Sequence, residues 1–342
     1  MQYRSLGRTG VQVSTLCLGC MNFGGPTPEA ESIALVNHAL DNGINFLDTA
    51  NVYSRGLSEE IVGKALKQNG KRNKIVLATK VHGRMDDDDI LAYGNNRRHI
   101  IEQCDASLKR LQTDYIDLYQ IHRPESGVPI DETLRALDDL IRAGKVRYIG
   151  TSSFASWQIM ESLWVSRELG ANRFISEQPP YHLLDRSIER EMIPMAQAHG
   201  LAILPWSPLA RGFLSGKYQR GQEIPGDSRM ASDLKGPFAE RTKKHLGDLA
   251  FGILDELDAI AHEKNFTVAQ IALAWCMNQP GVTSPIIGPR TMNQLEDNLG
   301  ALAVTFTDAD YARFNTVAEP EQSIVSYYNG KAMDFKAPEY RW

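Results

Sequence analysis

The strongest constraint on this chain is a rhythm in its apolar residues. Eight short runs rich in Val, Ile and Leu read as strands: Thr15–Leu18, Asn45–Leu47, Ile75–Thr79, Tyr115–Gln120, Tyr148–Gly150, Phe174–Glu177, Ala202–Leu204 and Pro285–Ile287. Between them, apolar residues recur at helical spacing in Glu31–Asp41, Glu59–Lys67, Ile100–Leu111, Glu132–Ala143, Trp157–Leu169, Ile188–His199 and Ala250–Lys264. Ser58 precedes the second of these as a candidate N-cap. Gly43, Gly70, Gly144, Gly170 and Gly200 stand where helices would stop, the common place for a C-terminal capping glycine. A helix between two strands returns the chain to the same end of the sheet, so neighbouring strands pair in parallel.

Eight such units fit a closed (β/α)8 TIM barrel; the rival is an open doubly wound sheet. A doubly wound sheet that binds a dinucleotide usually carries Gly-x-Gly-x-x-Gly after its first strand. None of the 27 glycines here forms a Gly-x-Gly pair, and the chain has no Walker-type loop and no His-Glu-x-x-His. The expectation is one α/β barrel domain over residues 1–342, with a core at about 15–318 and a C-terminal tail at 319–342. Two segments stand outside the repeat. Residues 207–245 are rich in Gly, Pro, Ser and charge, and a loop of that length in a compact domain is usually functional or disordered. The tail carries Tyr327, Tyr328, Phe335, Tyr340 and Trp342, too aromatic for a fully solvated segment, and is expected to pack onto the barrel.

Composition removes several function classes. Lys plus Arg is 37 against 42 for Asp plus Glu, a net charge of −5, which argues against a nucleic-acid partner. Apolar stretches such as Ile271 to Met277 fall far short of the ~20 residues that span a bilayer, so no membrane association is expected. The start, MQYRSLGRTGVQVS, lacks the apolar core of a secretory signal, and four cysteines do not make a disulfide framework. The expected location is the cytoplasm.

In a barrel, chemistry lies where strands end. Those positions hold Asp48, Lys80 and His122, with Tyr53 in the loop after Asp48. Taken singly, each has a bland explanation: a loop hydrogen bond, a surface ion pair, a loop anchor, a structural histidine. Taken jointly they bring a carboxylate, a phenol, an ammonium and an imidazole to one mouth. Reducing a carbonyl requires a hydride donor and an acid for the developing alkoxide. A phenol of pKa ~10 becomes better poised when a cation stabilises its phenolate. Lys80 supplies that cation, Asp48 holds Lys80, and His122 orients the carbonyl oxygen.

Seven segments, in order, resemble the signature regions of the aldo-keto reductase superfamily: NFLDTANVYSRGLSEEIVGKAL, IVLATKV, DYIDLYQIHRPE, IGTSSF, EQPPYHLL, ILPWSPLARGFLSGKY and PIIGPRTMNQLEDNL. The resemblance covers about residues 1–318 and is close to the bacterial-type and potassium channel β subunit-like branches. It implies a (β/α)8 barrel that binds NADP(H) without a Rossmann motif. It implies Tyr53 as general acid, tuned by Asp48 and Lys80, with His122 orienting the carbonyl. Ser152, Ser153 and Gln178 match positions that hold the nicotinamide amide, and Trp206 the aromatic stacked on its ring, usually Tyr in better-known branches. Gly19, Met21 and Asp48 belong to the same wall. Ser207, Leu209, Gly212 and Lys217 resemble the loop that folds over the pyrophosphate.

Arg290 aligns with positions that meet the adenosine 2′-phosphate, where a guanidinium fork suits phosphate oxygens. Gln294 and Asn298 follow at helical spacing, placed for ribose and adenine. The chain departs from the commoner pattern, which has Lys at the place of Gly288 and Arg at that of Gln294. One potential phosphate-binding cation is therefore gone; on Arg290, NADPH is expected over NADH, with dual use left open.

Other signals are set aside. Cys17-x-x-Cys20 lies on the first strand, where barrel core is the expectation. Asp86–Asp89 lacks the glycine and glutamate of a calcium loop, so no metal is expected. Arg97-Arg98-His99 is expected to open a helix. The pocket wall is expected to include Asn22, Tyr53, His82 and Arg123, with Tyr327 or Tyr328 from the tail. Aromatics there suit an apolar aldehyde, whereas Arg123 suits a negatively charged group. The leading expectation is a reductase acting on a small-molecule aldehyde or ketone. The alternative is a nicotinamide-binding sensor or regulatory subunit with little turnover. Oligomeric state is not legible.

Overall fold

Eight parallel strands follow one another around a single sheet: β1 (Cys17–Gly19), β2 (Phe46–Asp48), β3 (Val76–Val81), β4 (Ile116–Ile121), β5 (Val146–Ser152), β6 (Ser176–Gln178), β7 (Ala202–Ile203) and β8 (Ile286–Ile287). β8 pairs back onto β1, Ile286 opposite Cys17. The remaining seam, between β7 and β8, is closed by Thr283 N–H to Ile203 O and Ile286 N–H to Pro205 O, both 2.8 Å. The sheet is thus a barrel without an open edge. These bonds belong to a computed structural model, which describes residues 1–328 except 227, 237, 238 and 326.

Helices α1 (Glu29–Asp41), α2 (Leu57–Asn69), α3 (Arg97–Leu111), α4 (Ile130–Arg142), α5 (Ser156–Leu169) and α6 (Met192–His199) fill the first six crossovers. Between β7 and β8 lie α7 (Arg229–Leu234), α8 (Ala239–Lys244), α9 (Asp248–Lys264) and α10 (Val268–Asn278). After β8 come α11 (Met292–Gly300) and α12 (Asp308–Val317). Among the described residues no helix is long and apolar enough to cross a membrane.

The core has two parts, as a barrel requires. Leu6, Val13, Cys17, Phe46, Val76, Leu118, Ala202 and Leu204 form one buried cluster, with Ile286. A larger one lies between strands and helices. Cys17 and Cys20 are buried free thiols, as expected of strand-core residues. Gly19 shows how tightly the barrel closes: a Cβ there would stand 2.6 Å from Ile286 Cγ2 and 3.0 Å from Ile287 O.

All eight expected strands are present, displaced by one or two residues. The five predicted capping glycines all take positive φ. Arg97 does open α3. Ser58, expected as an N-cap, instead lies inside α2; its hydroxyl donates to Cys20 O at 2.8 Å and meets Thr49 Oγ1 at 2.8 Å. An antiparallel hairpin of Tyr3–Ser5 with Gln12–Ser14 was not expected, because three-residue strands leave no periodic signal. Nor was α10, whose apolar residues are buried on nearly every side and so show no amphipathic face. Residues 207–245 are not a bare loop: they hold a 3-10 segment (Ala210–Ser215), α7 and α8.

The described part of the tail packs as expected. Ile324 and Val325 donate their N–H groups to Leu184 O at 2.9 and 3.1 Å, and Tyr327 N–H donates to Asp185 Oδ2 at 2.9 Å. Phe335, Tyr340 and Trp342 lie outside the described residues.

Candidate active site

Because all strands run in parallel, their C-terminal ends open on one mouth. Asp48 ends β2, Lys80 is the penultimate residue of β3, and His122 immediately follows β4. Ser152 ends β5 and Gln178 ends β6, while Trp206 and Gly288 lie just past β7 and β8. Tyr53 opens a short 3-10 turn in which Ser54 and Arg55 take φ of 47° and 52°. Nine non-glycine residues have positive φ among the described residues, and six of them (Ser54, Arg55, Ser153, Ser207, Ala210 and Arg211) lie in loops at this mouth. Backbone strain of this type concentrates where a site must be held in one geometry.

Lys80 is fully buried. Its ammonium is paired with Asp48 Oδ1, donates to Thr49 O at 2.8 Å, and donates to the Tyr53 hydroxyl oxygen at 3.3 Å. An ammonium has three protons, and here each has an acceptor. Burial pulls the Lys80 pKa down, but the charge of Asp48 and the hydrogen bonds to Asp48 and Tyr53 outweigh it and the net shift is upward, so Lys80 is a cation at neutral pH. Asp48 is fixed from its other oxygen, Oδ2, by Gln120 Nε2 at 3.0 Å and Gln178 Nε2 at 2.9 Å. The Gln178 amide also donates to Gln120 Oε1 at 3.2 Å.

The His122 ring stands edge-on to Tyr53, with centroids 5.7 Å apart. Burial, then the charges of Arg123, Lys80 and His82, hold its pKa well below the usual histidine range. His122 is therefore a neutral imidazole at pH 7, able to donate an N–H without bringing a second full charge beside Lys80.

These groups open into a cleft of about 1570 Å³. Of the residues expected to be functional, Gly19, Met21, Asn22, Asp48, Tyr53, His122, Arg123, Ser152, Gln178, Trp206, Ser207, Leu209, Gly212, Lys217, Gly288, Arg290, Gln294 and Asn298 all line it. Three do not. Lys80 lies beneath the surface and touches the cleft wall only through the Tyr53 hydroxyl and Asp48. Ser153 is buried behind the wall, its N–H donated to Gln178 O at 3.1 Å and its hydroxyl receiving Arg123 Nη1 at 2.9 Å. His82, expected in the pocket wall, is turned away: its Nδ1 meets Asn95 Oδ1 at 3.0 Å and its ring packs on Tyr93. Burial lowers its pKa to about 4.

A model of the aldo/keto reductase family matches residues 15–319. The chain belongs to that family. An aldo/keto reductase of this sequence is 40% identical over 317 residues to an uncharacterized oxidoreductase of Bacillus subtilis, covering 89% of this chain and 92% of the relative. It is 39% identical over 308 residues to a probable voltage-gated potassium channel subunit beta of Arabidopsis thaliana, with the same coverage. It is 38% identical over 330 residues to versiconal hemiacetal acetate reductase of Aspergillus parasiticus, covering 90% and 94%.

The cleft of this aldo/keto reductase also contains cations that sequence reasoning missed. Arg211, Arg229 and Lys244 join Lys217 and Arg290 along it. The Arg211 fork is paired with both oxygens of Asp233, and Arg229 Nε lies 4.0 Å from the same carboxylate. Burial first, then the neighbouring Arg211, lower the Arg229 pKa to about 10. Arg211 and Lys217 lie in the quoted segment ILPWSPLARGFLSGKY, so a count of cations there was an available signal; Arg229 and Lys244 lie beyond any quoted segment. Gln120, which steadies Asp48, had one as well: it is a lone amide in the apolar run of β4.

Gln294, expected at the cofactor, and Asn22, expected in the substrate pocket, are each engaged within the protein. Gln294 Oε1 accepts the Arg290 N–H at 2.7 Å, at the start of α11. Asn22 Nδ2 donates to Gly288 O at 3.1 Å. Among the described residues no cluster of His, Cys, Asp and Glu is arranged to hold a metal ion.

Proposed function

We propose that the chain is an NADPH-dependent oxidoreductase that reduces an aldehyde or ketone to the alcohol, with Tyr53 as the proton donor. The observation that carries this reading is the saturation of the Lys80 ammonium. Its bond to Tyr53 occupies a lone pair of the phenol oxygen and leaves the phenolic proton free to point into the cleft. The same cation stabilises the phenolate left when that proton is given away.

The residues of the cleft fit a phosphorylated dinucleotide. Its volume exceeds the ~300–1,000 Å³ of an ordinary small-molecule site, leaving room for a second ligand beside a small one. Trp206 Nε1 is buried there with no hydrogen-bond partner among the described residues. Arg211, Lys217, Arg229 and Arg290 supply the positive charge that phosphate groups require. Arg229 and Arg211 add positive charge suited to the pyrophosphate that both cofactors carry. Ser152 and the Gln178 carbonyl oxygen would hold the nicotinamide amide, Trp206 would stack on its ring, and Arg290 would meet the 2′-phosphate. When bound, the cofactor supplies the hydride.

The protein's own part follows from the geometry. The substrate carbonyl oxygen would lie between the Tyr53 hydroxyl and the His122 ring. His122, neutral, orients it; Tyr53 donates its proton as the carbonyl carbon is reduced; Lys80 and Asp48 hold the resulting phenolate until it is reprotonated. General acid catalysis of this type is worth roughly two to four orders of magnitude.

NADPH oxidation with a panel of aldehydes tests the reading. Turnover that persists over many cycles supports it. Tight NADPH binding with no turnover on any carbonyl would overturn it in favour of a cofactor-binding sensor or regulatory subunit; the Arabidopsis relative is named as a probable channel subunit.

A further inference from the structure

Arg123 stands one residue past His122 and lines the cleft with Tyr53, Trp206 and Tyr327. Its attachment is one-sided. Nη1 donates to His122 O and to Ser153 Oγ, both at 2.9 Å, and among the described residues it is the only nitrogen of the fork with a hydrogen bond. The guanidinium lies 5.9 Å from the centroid of the Tyr327 ring. Tyr327 in turn packs edge-on against Trp206 at 4.8 Å, so an apolar wall adjoins the cation.

Among the described residues Arg123 has no ion-pair partner. Among the described residues no carboxylate comes within 4.0 Å of it, whereas Arg211 and Arg229, on the same cleft, share Asp233. The acid that interacts with Arg123 electrostatically is Glu177, fully buried under Thr151 Oγ1 and Phe154 N–H. Burial pushes the Glu177 carboxyl up to about 8, so at neutral pH it is protonated and leaves the guanidinium uncompensated. A half-buried cation with a free fork edge beside the reacting centre favours an anion there.

We propose that Arg123 recognises an anionic group on the substrate, so that the preferred carbonyl compound carries a carboxylate or phosphate held by the free edge of this guanidinium. The carbon chain between anion and carbonyl lies along the Tyr327–Trp206 wall, and the carbonyl reaches Tyr53 and His122. The carbonyl part of this inference rests on the reductase reading; the anion site does not.

Matched substrate pairs test it on the full chain with NADPH. One pair is para-carboxybenzaldehyde and its methyl ester, the other glycolaldehyde phosphate and glycolaldehyde. The wild type is expected to favour the charged member of at least one pair by roughly tenfold or more in kcat/KM. Arg123→Gln cuts that ratio by roughly ten- to a hundredfold, chiefly through KM. Arg123→Lys falls between, because it keeps the charge and loses the fork. The pair that responds separates carboxylate from phosphate. No charged-over-neutral preference in the wild type, or a ratio unaltered by Arg123→Gln, overturns the proposal.

Binding supplies the second readout. Calorimetry compares para-hydroxymethylbenzoate with its amide in the presence of NADP⁺, in wild type and Arg123→Gln. Tighter binding of the acid that is lost in the variant supports the anion site even if no carbonyl is turned over, in which case the reductase reading alone fails. Equal binding of acid and amide, with no charged-over-neutral preference in the phosphate pair, sinks the anion site however active the enzyme is.

Discussion

The Lys80 ammonium donates to the Tyr53 hydroxyl oxygen across 3.3 Å, and the two residues arrive from different strand–loop units of the barrel. That contact makes the Tyr53 oxygen an acceptor on its buried side. Its strength depends on Asp48, which holds Lys80, and on Gln120 and Gln178, which hold Asp48. Tyr53, the proposed proton donor, is thus the outermost member of a buried polar network, which is worth most when every member is satisfied.

Tyr53→Phe removes the proton and little else. Turnover with any accepted aldehyde is expected to fall by about two to four orders of magnitude, while the NADPH dissociation constant changes only slightly. Steady-state kinetics beside a fluorescence titration of the cofactor measures both. A variant that retains wild-type turnover would remove Tyr53 from the role of acid.

Lys80→Met leaves Asp48 buried and unpaired. Removing one partner of such a pair costs about 3–5 kcal/mol, so the urea midpoint should drop markedly and activity should be lost. Combining it with Asp48→Asn takes away the stranded charge. The double variant is expected to regain much of the stability and none of the activity, which would separate the structural contribution of the pair from the catalytic one.

Arg290 and Arg229 should differ in how they treat the two cofactors. Arg290→Ala is expected to weaken NADPH by roughly ten- to a hundredfold while altering NADH much less, since only NADPH carries the 2′-phosphate. Arg229→Ala, beside Arg211 and Met21, should weaken both cofactors to a similar degree. Equal losses for both cofactors in Arg290→Ala would move the 2′-phosphate to another cation.

Glu177 makes stability depend on pH in a direction unusual for a carboxyl. Its pKa rises from the ordinary 4.5 to about 8, so the folded chain holds this proton longer than the unfolded one. The associated stability is complete below about 4.5 and is lost as the pH rises through about 8. His82, lowered from 6.5 to about 4, works the other way: its contribution is complete above 6.5 and lost as the pH falls through about 4. Glu177→Gln mimics the protonated carboxyl. Denaturation across pH should show the variant gaining on the wild type between about 4.5 and 8. Parallel stability curves would show that Glu177 does not titrate in this window.

What the sequence determined by itself is the barrel and the mouth. Strand and helix periodicities are local, and parallel strand–helix units have one permitted hand, so the alternation of runs placed Asp48, Lys80 and His122 at the same end before any contact was known. The missing Gly-x-Gly pair was legible for the same reason, being a feature of adjacent residues. Tertiary structure alone decided which polar atoms meet. Gln178 reaches Asp48 across 130 residues of chain, Gln120 across 72, and Trp206 meets Ile286 at the seam that closes the barrel. It also turned His82 and Ser153 away from the cleft and brought Arg211 and Arg229 into it from a segment whose composition read as loop. Periodicity fixes the face on which a side chain stands. Its partner is set by distances between residues far apart in the chain, and those exist only once the barrel has closed.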